Sequence, residues 1–414
     1  MATKIPLVLS AGRVQQLQAG DSIDMAGDAY LLVDGTKELT GNLAVTATKT
    51  VDGRDVSVDG TALDLLVGYG NHSTQGYWQN NVIINGGFDF YQRAASFTAF
   101  NSVAEDVYCF DRWYMLTQTA AGEALRWNIA GATGAQPGPF VGILQQHQAA
   151  AQRIGIAQII EGMNSFPLRG RTITLQAKVA CVQTDMTLRY AILEWTGTCD
   201  TVTSDVVLDW TSGTYTANNF FLAAGLTVVA VGSTALTHVD AIASAVPVAI
   251  TLAGTVSASC NNLIILFWSE GTMAQHDQLV LSEVDCHIGA SRIWSPRPVA
   301  QELALCQRYY QKIRSDTANA IVGMGIAHNT TNIYGFVIPL VCSMRTPPSE
   351  FAYSSLSGLH LVNTSDIDPT ALSLYAQLEN TGTLLVEAVG FTATLTYKLI
   401  FIGADDFLSY GAEL

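Results

Sequence analysis

From residue 81 onward the chain is a succession of short apolar runs with polar punctuation. "RTITLQAKVA", "MTLRYAILEW", "SDVVLDW", "FFLAAGLTVVAV", "VPVAITLAG", "NLIILFW" and "DQLVLSEVDCHIGA" are each of strand length, alternating or continuous in apolar residues. Gly, Ser, Thr, Asn or Asp bound every one of them, which is the signature of strands separated by turns. Seven or more such strands predict a jelly-roll-like β-sandwich over 81–298. The period changes in "SPRPVAQELALCQRYYQKI" (295–313), where Val299, Leu303, Cys306 and Tyr310 follow two prolines at helical spacing. That spacing predicts a short linker helix over 299–313. β patterning then returns in "NIYGFVIPLV", "GLHLVN", "TLLVEAVG" and "ATLTYKLIFIGA", with a proline turn at "SMRTPPSEF", and predicts a smaller C-terminal sandwich over 314–414.

Residues 1–80 read differently. Apolar pieces only four to six residues long are broken by Asp34-Gly35, Asp52-Gly53 and Asp59-Gly60, all strong turn signals. Such a segment cannot enclose a core and is expected to be an extended strand-and-turn strip lying along a neighbour. The fold class is therefore mainly β, in four parts.

Composition adds a constraint on partners. Charged residues make up 13% of the 414, which is low for an isolated soluble surface, so contact with other copies or other proteins is expected. The net charge of −15 leaves no basic footprint for phosphates, which excludes nucleic acid as a partner. From Ile313 onward nine acidic residues stand against three basic ones, so attraction to an anionic cell surface is also excluded. The seven cysteines (109, 181, 199, 260, 286, 306, 342) are dispersed and never spaced as CxxC, which argues for free thiols rather than zinc or a disulfide framework. "MATKIPLVLSAGRVQQL" offers five consecutive apolar or proline residues, too few for a signal peptide, and no run reaches membrane-spanning length. Synthesis in a reducing cytosol without membrane insertion is the expectation.

The densest aromatic stretch is "NVIINGGFDFYQRAASFTAF" (81–100), followed closely by "YCFDRWYML" (108–116). Phe88, Phe90 and the Trp113-Tyr114 pair are expected on strands with one face buried, as core rather than as ligand contacts. Gly86-Gly87 suggests a bulge or a close backbone approach, and Asp111-Arg112 an ion pair at a strand edge.

These motifs carry a resemblance. "INGGFDFYQR" followed by "DRWYM" resembles the start of the jelly-roll module of tail fibres and related virion appendages of tailed bacteriophages. "ELALCQRYYQK" resembles the helix after that module, and "VCSMRTPPS" the turn inside the C-terminal β domain beyond it. "DGTKELTGNLAV", "VDGRDVSVDGTALD" and "GNHSTQGYW" resemble attachment and shaft motifs of the same group. The resemblance covers nearly the whole chain, in the family's order. It implies a virion structural protein made in the bacterial cytoplasm, a homotrimer attached to other virion proteins through residues 1–80, with a host-surface glycan or protein as receptor. A collar, head-fibre or baseplate part without receptor binding is the alternative.

Catalytic signals are weak. "AGDSID" (19–24) imitates a Gly-Asp-Ser esterase block but lacks the preceding apolar strand and a later Asp-x-x-His. Glycan hydrolysis needs two carboxylates facing across a cleft, and no spacing singles out a pair among Glu105, Asp106, Asp111, Glu161, Glu194 and Asp277. No enzyme is expected. On a strand, Glu283, Asp285 and His287 would share one face, which is read as a polar solvent face rather than a metal site. No cofactor is expected; a structural calcium suits carbohydrate-binding sandwiches, but no residues locate one. For glycan binding, Trp195, Trp210 and Tyr215 stand amid Thr, Ser, Asn and Asp and are the residues chosen here, with Tyr353, His360 and Tyr375 marking a second surface.

Overall fold

The computed structural model describes residues 7–10, 13–16, 81–128, 140–222, 225–244, 246–364 and 366–414. Two compact units divide the chain, residues 1–73 and 74–414. In the first, strands β1 (Leu7–Ser10) and β2 (Arg13–Gln16) form an antiparallel hairpin. The rest of the N-terminal strip expected over 1–80, including "AGDSID", lies outside the described residues.

The second unit begins with a sandwich of two antiparallel sheets. Its strands are β3 (Asn101–Val103), β4 (Tyr114–Thr117), β5 (Gly122–Asn128), β6 (Phe140–Gln145), β7 (Ile154–Ile160), β8 (Thr172–Val182), β9 (Met186–Trp195), β10 (Leu226–Leu236), β11 (Val248–Thr255), β12 (Asn262–Ser269) and β13 (Gln278–Ile288). One sheet runs β10-β9-β12-β7-β4, the other β11-β8-β13-β6-β5-β3. Leu263, Ile265 and Phe267 of β12 meet Ile173, Leu175 and Val179 of β8 in the core between the sheets. The intervening residues of β12, Ile264, Leu266 and Trp268, are equally buried on the outer side. Burial on both faces explains why β12 reads as an unbroken apolar run.

The helix that follows, α1 (Val299–Gln307), starts directly after Pro298 but is shorter than its spacing suggested. Tyr310 opens a strand instead, β14 (Tyr310–Arg314). The second sandwich adds β15 (Ala320–Ile326), β16 (Asn332–Pro339), β17 (Glu350–Tyr353), β18 (Leu359–Val362), β19 (Asp366–Ile367), β20 (Pro369–Leu374), β21 (Thr381–Ala388), β22 (Thr396–Phe401) and β23 (Phe407–Gly411). A three-stranded sheet, β14-β23-β17, packs on a seven-stranded one, β19-β18-β22-β15-β16-β21-β20. Phe336, Leu384, Val386, Leu399 and Tyr410 fill the core between them.

The aromatic stretch at 81–100 is not a strand; its first part, to Ala94, is buried or half-buried, whereas Phe97 is exposed. Asn85 and Phe88 both take positive φ (58° and 55°), so the chain turns sharply there. The turn is held by side chains. The Asn85 amide donates to the carbonyls of Phe90 (2.8 Å) and Asp111 (3.0 Å), and its oxygen accepts the Phe90 N–H. Trp113 Nε1 donates to the Asn85 carbonyl at 3.1 Å, and the indole stacks on Phe88 with centroids 5.5 Å apart. A Cβ on Gly86 would lie 2.1 Å from the Val284 carbonyl oxygen, so only glycine permits the approach of this turn to β13.

Asp111 and Arg112 do not form the edge ion pair expected of them; both are buried and each serves a separate partner. Asp111 accepts the Gln92 N–H (3.0 Å) and the Gln92 amide (2.7 Å). Arg112 pairs with Glu413, lies over the Tyr309 ring at 3.6 Å and donates to the Ile159 carbonyl. Arg93 reaches the other Glu413 oxygen at 3.1 Å. Burial opposes the Arg112 charge, but Glu413 and the neighbouring tyrosines raise its pKa above the ordinary value. Arg345, from the connection between β16 and β17, donates to the carbonyls of Ala412 (3.0 Å) and Glu413 (2.8 Å), fixing this segment to the second sandwich.

Two outcomes follow from this packing. Glu413→Gln leaves two guanidinium groups short of a counter-charge, so it should cost about 3–5 kcal/mol of stability, read by urea unfolding. Asp111 is pushed up to about 6, mainly by burial, from its ordinary 3.8. The folded state therefore holds that proton more tightly than the unfolded one. Its stabilising contribution is full below the unfolded value and is lost as the pH rises through about 6. Asp111→Asn should flatten the dependence of the thermal midpoint on pH in that window, as calorimetry would show.

Candidate functional site

The two outer faces of the first sandwich differ, and the difference decides where a ligand fits. The outer face of the five-stranded sheet presents Tyr114, Leu116, Ile159, Leu193, Leu266 and Trp268, all fully buried. The long connection between β9 and β10 covers it. Phe220 stacks on Trp268 with centroids 5.0 Å apart and planes 24° apart, and Phe221 meets the same indole edge-on at 5.8 Å. This side is a third layer of core.

The glycan-binding residues chosen from the sequence belong to that cover. Trp210 is only 8% exposed and packs edge-on against Phe220 at 5.9 Å. Tyr215 is half-buried, 5.2 Å from Phe220, with its hydroxyl 3.1 Å from Glu270 and the Arg189 guanidinium 4.3 Å above its ring. Arg189 also pairs with Glu270 at 2.5 Å, which holds that carboxyl below its usual range despite some burial. Trp195 closes the far end of β9 and donates from Nε1 to the Thr198 carbonyl at 2.8 Å. Six residues of extended strand, roughly 20 Å, separate Arg189 from Trp195. The structure thus brings Trp210 and Tyr215 together through Phe220 and leaves Trp195 apart. Of the second surface, Tyr353 lies apart on the three-stranded sheet, whereas His360, on β18 beside Asp368 (2.9 Å) and paired in register with Ile400, and Tyr375, against Tyr334 (5.6 Å), belong to the seven-stranded sheet.

The outer face of the six-stranded sheet has a different chemistry. Gln278 Nε2 donates to Gln145 Oε1, and Gln145 Nε2 to Glu123 Oε2, both at 2.8 Å. His147 extends this row, its Nδ1 3.1 Å from Glu123 Oε1. The next row is apolar, with Leu125, Ile143, Val280 and Ala180 under Val239 and Ile242. Beyond it stands Trp127, 37% exposed and paired in register with Val141. Across the sheet Ser282 is paired with Lys178, whose ammonium is 2.9 Å from Glu283. An indole, two amides, two carboxylates and an ammonium therefore lie on one side of the sheet, with Gln145 itself buried and the apolar row between the glutamines and Trp127 covered by Phe100, Val239 and Ile242. The signal was present in "GEALRWN", where Glu123, Leu125 and Trp127 alternate onto one side.

The polar strand "EVDCHIGASR" is irregular rather than solvent-facing. A register shift between Ser282 and Asp285 turns Glu283 (φ 50°) away from Asp285 and His287. Those two are buried; Arg292 donates to both Asp285 oxygens (2.8 and 2.9 Å), and His287 Nδ1 lies 3.3 Å from Asp285 Oδ1. Burial opposes the Asp285 charge, but His287 and Arg292 together hold its carboxyl below the ordinary range. Among the described residues no group of three or more His, Cys, Asp or Glu side chains could hold a metal ion. Of the six carboxylates weighed for hydrolysis, four are buried and bound within the fold. Asp111 holds Gln92, Glu161 holds Tyr309 (2.7 Å) and Arg308 (2.9 Å), Glu194 caps the Ser257 N–H (2.9 Å), and Asp277 caps that of Ala274 (2.7 Å). Glu105 and Asp106 are adjacent in sequence, and both carboxyls are raised, chiefly by burial and then by neighbouring acids.

No protein-family model matches the sequence, and no curated protein matches it. Among solved structures, the chain is similar to the enzymatically active domain of tailspike protein 4 of bacteriophage CBA120, at 11% identity and a TM-score of 0.29, over 50% of this chain and 21% of that one. It is similar to the C-terminal family 22 carbohydrate-binding module of Clostridium thermocellum Xyn10B, at 9% identity and a TM-score of 0.27, over 48% of this chain and 99% of that one. The N-terminal cellulose-binding domain of Cellulomonas fimi β-1,4-glucanase C is similar at 17% identity and a TM-score of 0.24, over 41% of this chain and 90% of that one.

The two tryptophans should separate cleanly by stability. Trp210→Ala opens the cover of the five-stranded sheet and should cost about 3–5 kcal/mol in urea unfolding. Trp127→Ala, at a part-exposed position, should cost about 1 kcal/mol or less.

Proposed function

We propose that this protein is a structural appendage of a tailed-phage particle whose first sandwich binds a host-surface glycan on the outer face of its six-stranded sheet. The observation that carries the glycan assignment is the Gln278–Gln145–Glu123 row on the same face as the exposed Trp127. A sugar ring has apolar C–H faces and an equator of hydroxyls. An indole takes the first by stacking, and amide and carboxylate groups take the second by hydrogen bonding. The residues chosen from sequence contribute differently: Trp210 and Tyr215 keep the opposite sheet covered. The appendage assignment is supported by the four motifs met in the family's order. The "NGGF…QR" and "DRW" motifs contact each other through Asn85, Gln92 and Asp111.

The reading is non-catalytic, since four of the six carboxylates weighed for hydrolysis are committed inside the fold. The alternative, a collar, head-fibre or baseplate part that only braces its neighbours, draws on the low charged fraction of 13%. The residues expected to engage the particle, 1–80, belong to either version.

Purified protein titrated with host surface polysaccharide tests the reading by calorimetry. Binding is expected, and Trp127→Ala should weaken it about tenfold, the equivalent of roughly 1.4 kcal/mol of lost stacking. Gln278→Ala, at a part-exposed position of the same row, should weaken it as well, with the melting curve taken alongside to confirm the fold. Full binding by Trp127→Ala would move the site elsewhere. No binding by the native protein, together with failure to block adsorption of the phage, would favour the bracing role.

A further inference from the structure

The seven-stranded sheet of the second sandwich has an apolar outer face that nothing among the described residues covers. Ile321, Met324 and Ile326 on β15 and Tyr334 and Val337 on β16 are 40–61% exposed. Met324 and Val337 are directly paired across the two strands, and Ile321 is paired with Ile400 of β22, so these side chains form one patch. From β22 to β16 the patch spans roughly 10 Å, and from Ile321 to Ile326 roughly 17 Å. Five exposed apolar side chains lie side by side here rather than scattered singly, and contiguous patches of this kind mark interaction sites. The contrast within the same unit is instructive. The apolar outer face of the five-stranded sheet is closed by the chain's own connection through Phe220 and Phe221.

We infer that this face is the contact surface between copies of the chain. Charge argues for a copy as the occupant. The chain carries −15 overall, so copies repel except where the surface is close to neutral. On this face Lys398 of β22 lies beside Met324 in register, and Glu387 of β21 stands exposed at the opposite margin. A second copy laid on the patch presents the same two charges, so Lys398 of one can meet Glu387 of the other while the apolar residues between them are covered. The sheet's edges are poor alternatives. β19 is two residues long, and β20 starts at Pro369 with a register shift beside it. The copies therefore meet through the face.

A contact this small lies below the standard size of stable interfaces, so association should be weak and vary with concentration in the micromolar range. Sedimentation velocity and light scattering on the full chain, from about 0.1 to about 100 μM, read it directly. The mass is expected to rise with concentration, and its plateau distinguishes two-fold from three-fold closure, the latter being the trimer expected from the sequence. Met324→Glu and Val337→Glu should each weaken association at least about tenfold with melting curves unchanged. Lys398→Glu and Glu387→Lys should each weaken it, and the double reversal should restore it. A monomer at every concentration overturns the inference and leaves the face to a different protein. An oligomer indifferent to Met324→Glu overturns it equally, and a double reversal that restores nothing overturns the proposed register. None of these outcomes depends on glycan binding, which Trp127→Ala reads separately.

Discussion

The Glu413 side chain, 3% exposed, lies between two guanidinium groups, one from Arg93 and one from Arg112. Taking a carboxylate out of water is costly unless it is well paired, and here both oxygens are engaged. The consequence is geometric. Arg112 follows the turn that holds Trp113 and Phe88 in the first core, and Glu413 follows β23 in the second. Glu161 makes a second tie, accepting from Arg308 and Tyr309 just after α1. The two sandwiches are therefore joined by charges and hydrogen bonds that each needs the other to satisfy, and a broken partner on either side is felt on both.

This arrangement explains what was legible in the sequence and what was not. Strands buried on one face, such as β21 with Leu384, Val386 and Ala388 inward, alternate and were readable. So was β12, because burial on both faces makes it continuous. The stretch from 81 to 100 was misread as strand because its aromatic density is a core signal without a period. Its shape comes from the Asn85 amide and the Gly86 contact with β13, which are long-range facts. The helix was overextended at Tyr310 because a strand that pairs with β23, nearly a hundred residues later, outweighs local spacing. The ion pair expected of Asp111-Arg112 failed for a related reason, since the chain turns there, Arg112 taking a φ of 70°, and the two side chains reach separate long-range partners.

The candidate site shows the same limit. An aromatic residue in a Thr- and Ser-rich connection has the composition of a sugar site whether it faces water or a sheet. Trp210 faces a sheet because Trp268 and Leu266 beneath it are apolar, and that depends on which side of β12 the sequence leaves to be covered. Trp127 drew no attention because its strand looks ordinary. Its significance lies in the glutamines of β6 and β13, brought beside it by the sheet order rather than by proximity in the chain.

The position of Glu413 in the chain also has a temporal side. On a ribosome the strands of the first sandwich are complete at Ile288, and Glu413 is made 413 − 288 = 125 residues later. At roughly 5–20 residues per second that interval is about 6–25 s. During it Arg112 and Arg93 are without the Glu413 carboxylate that pairs with both in the finished protein, so the tie between the sandwiches is the last of these contacts to become available to the growing chain.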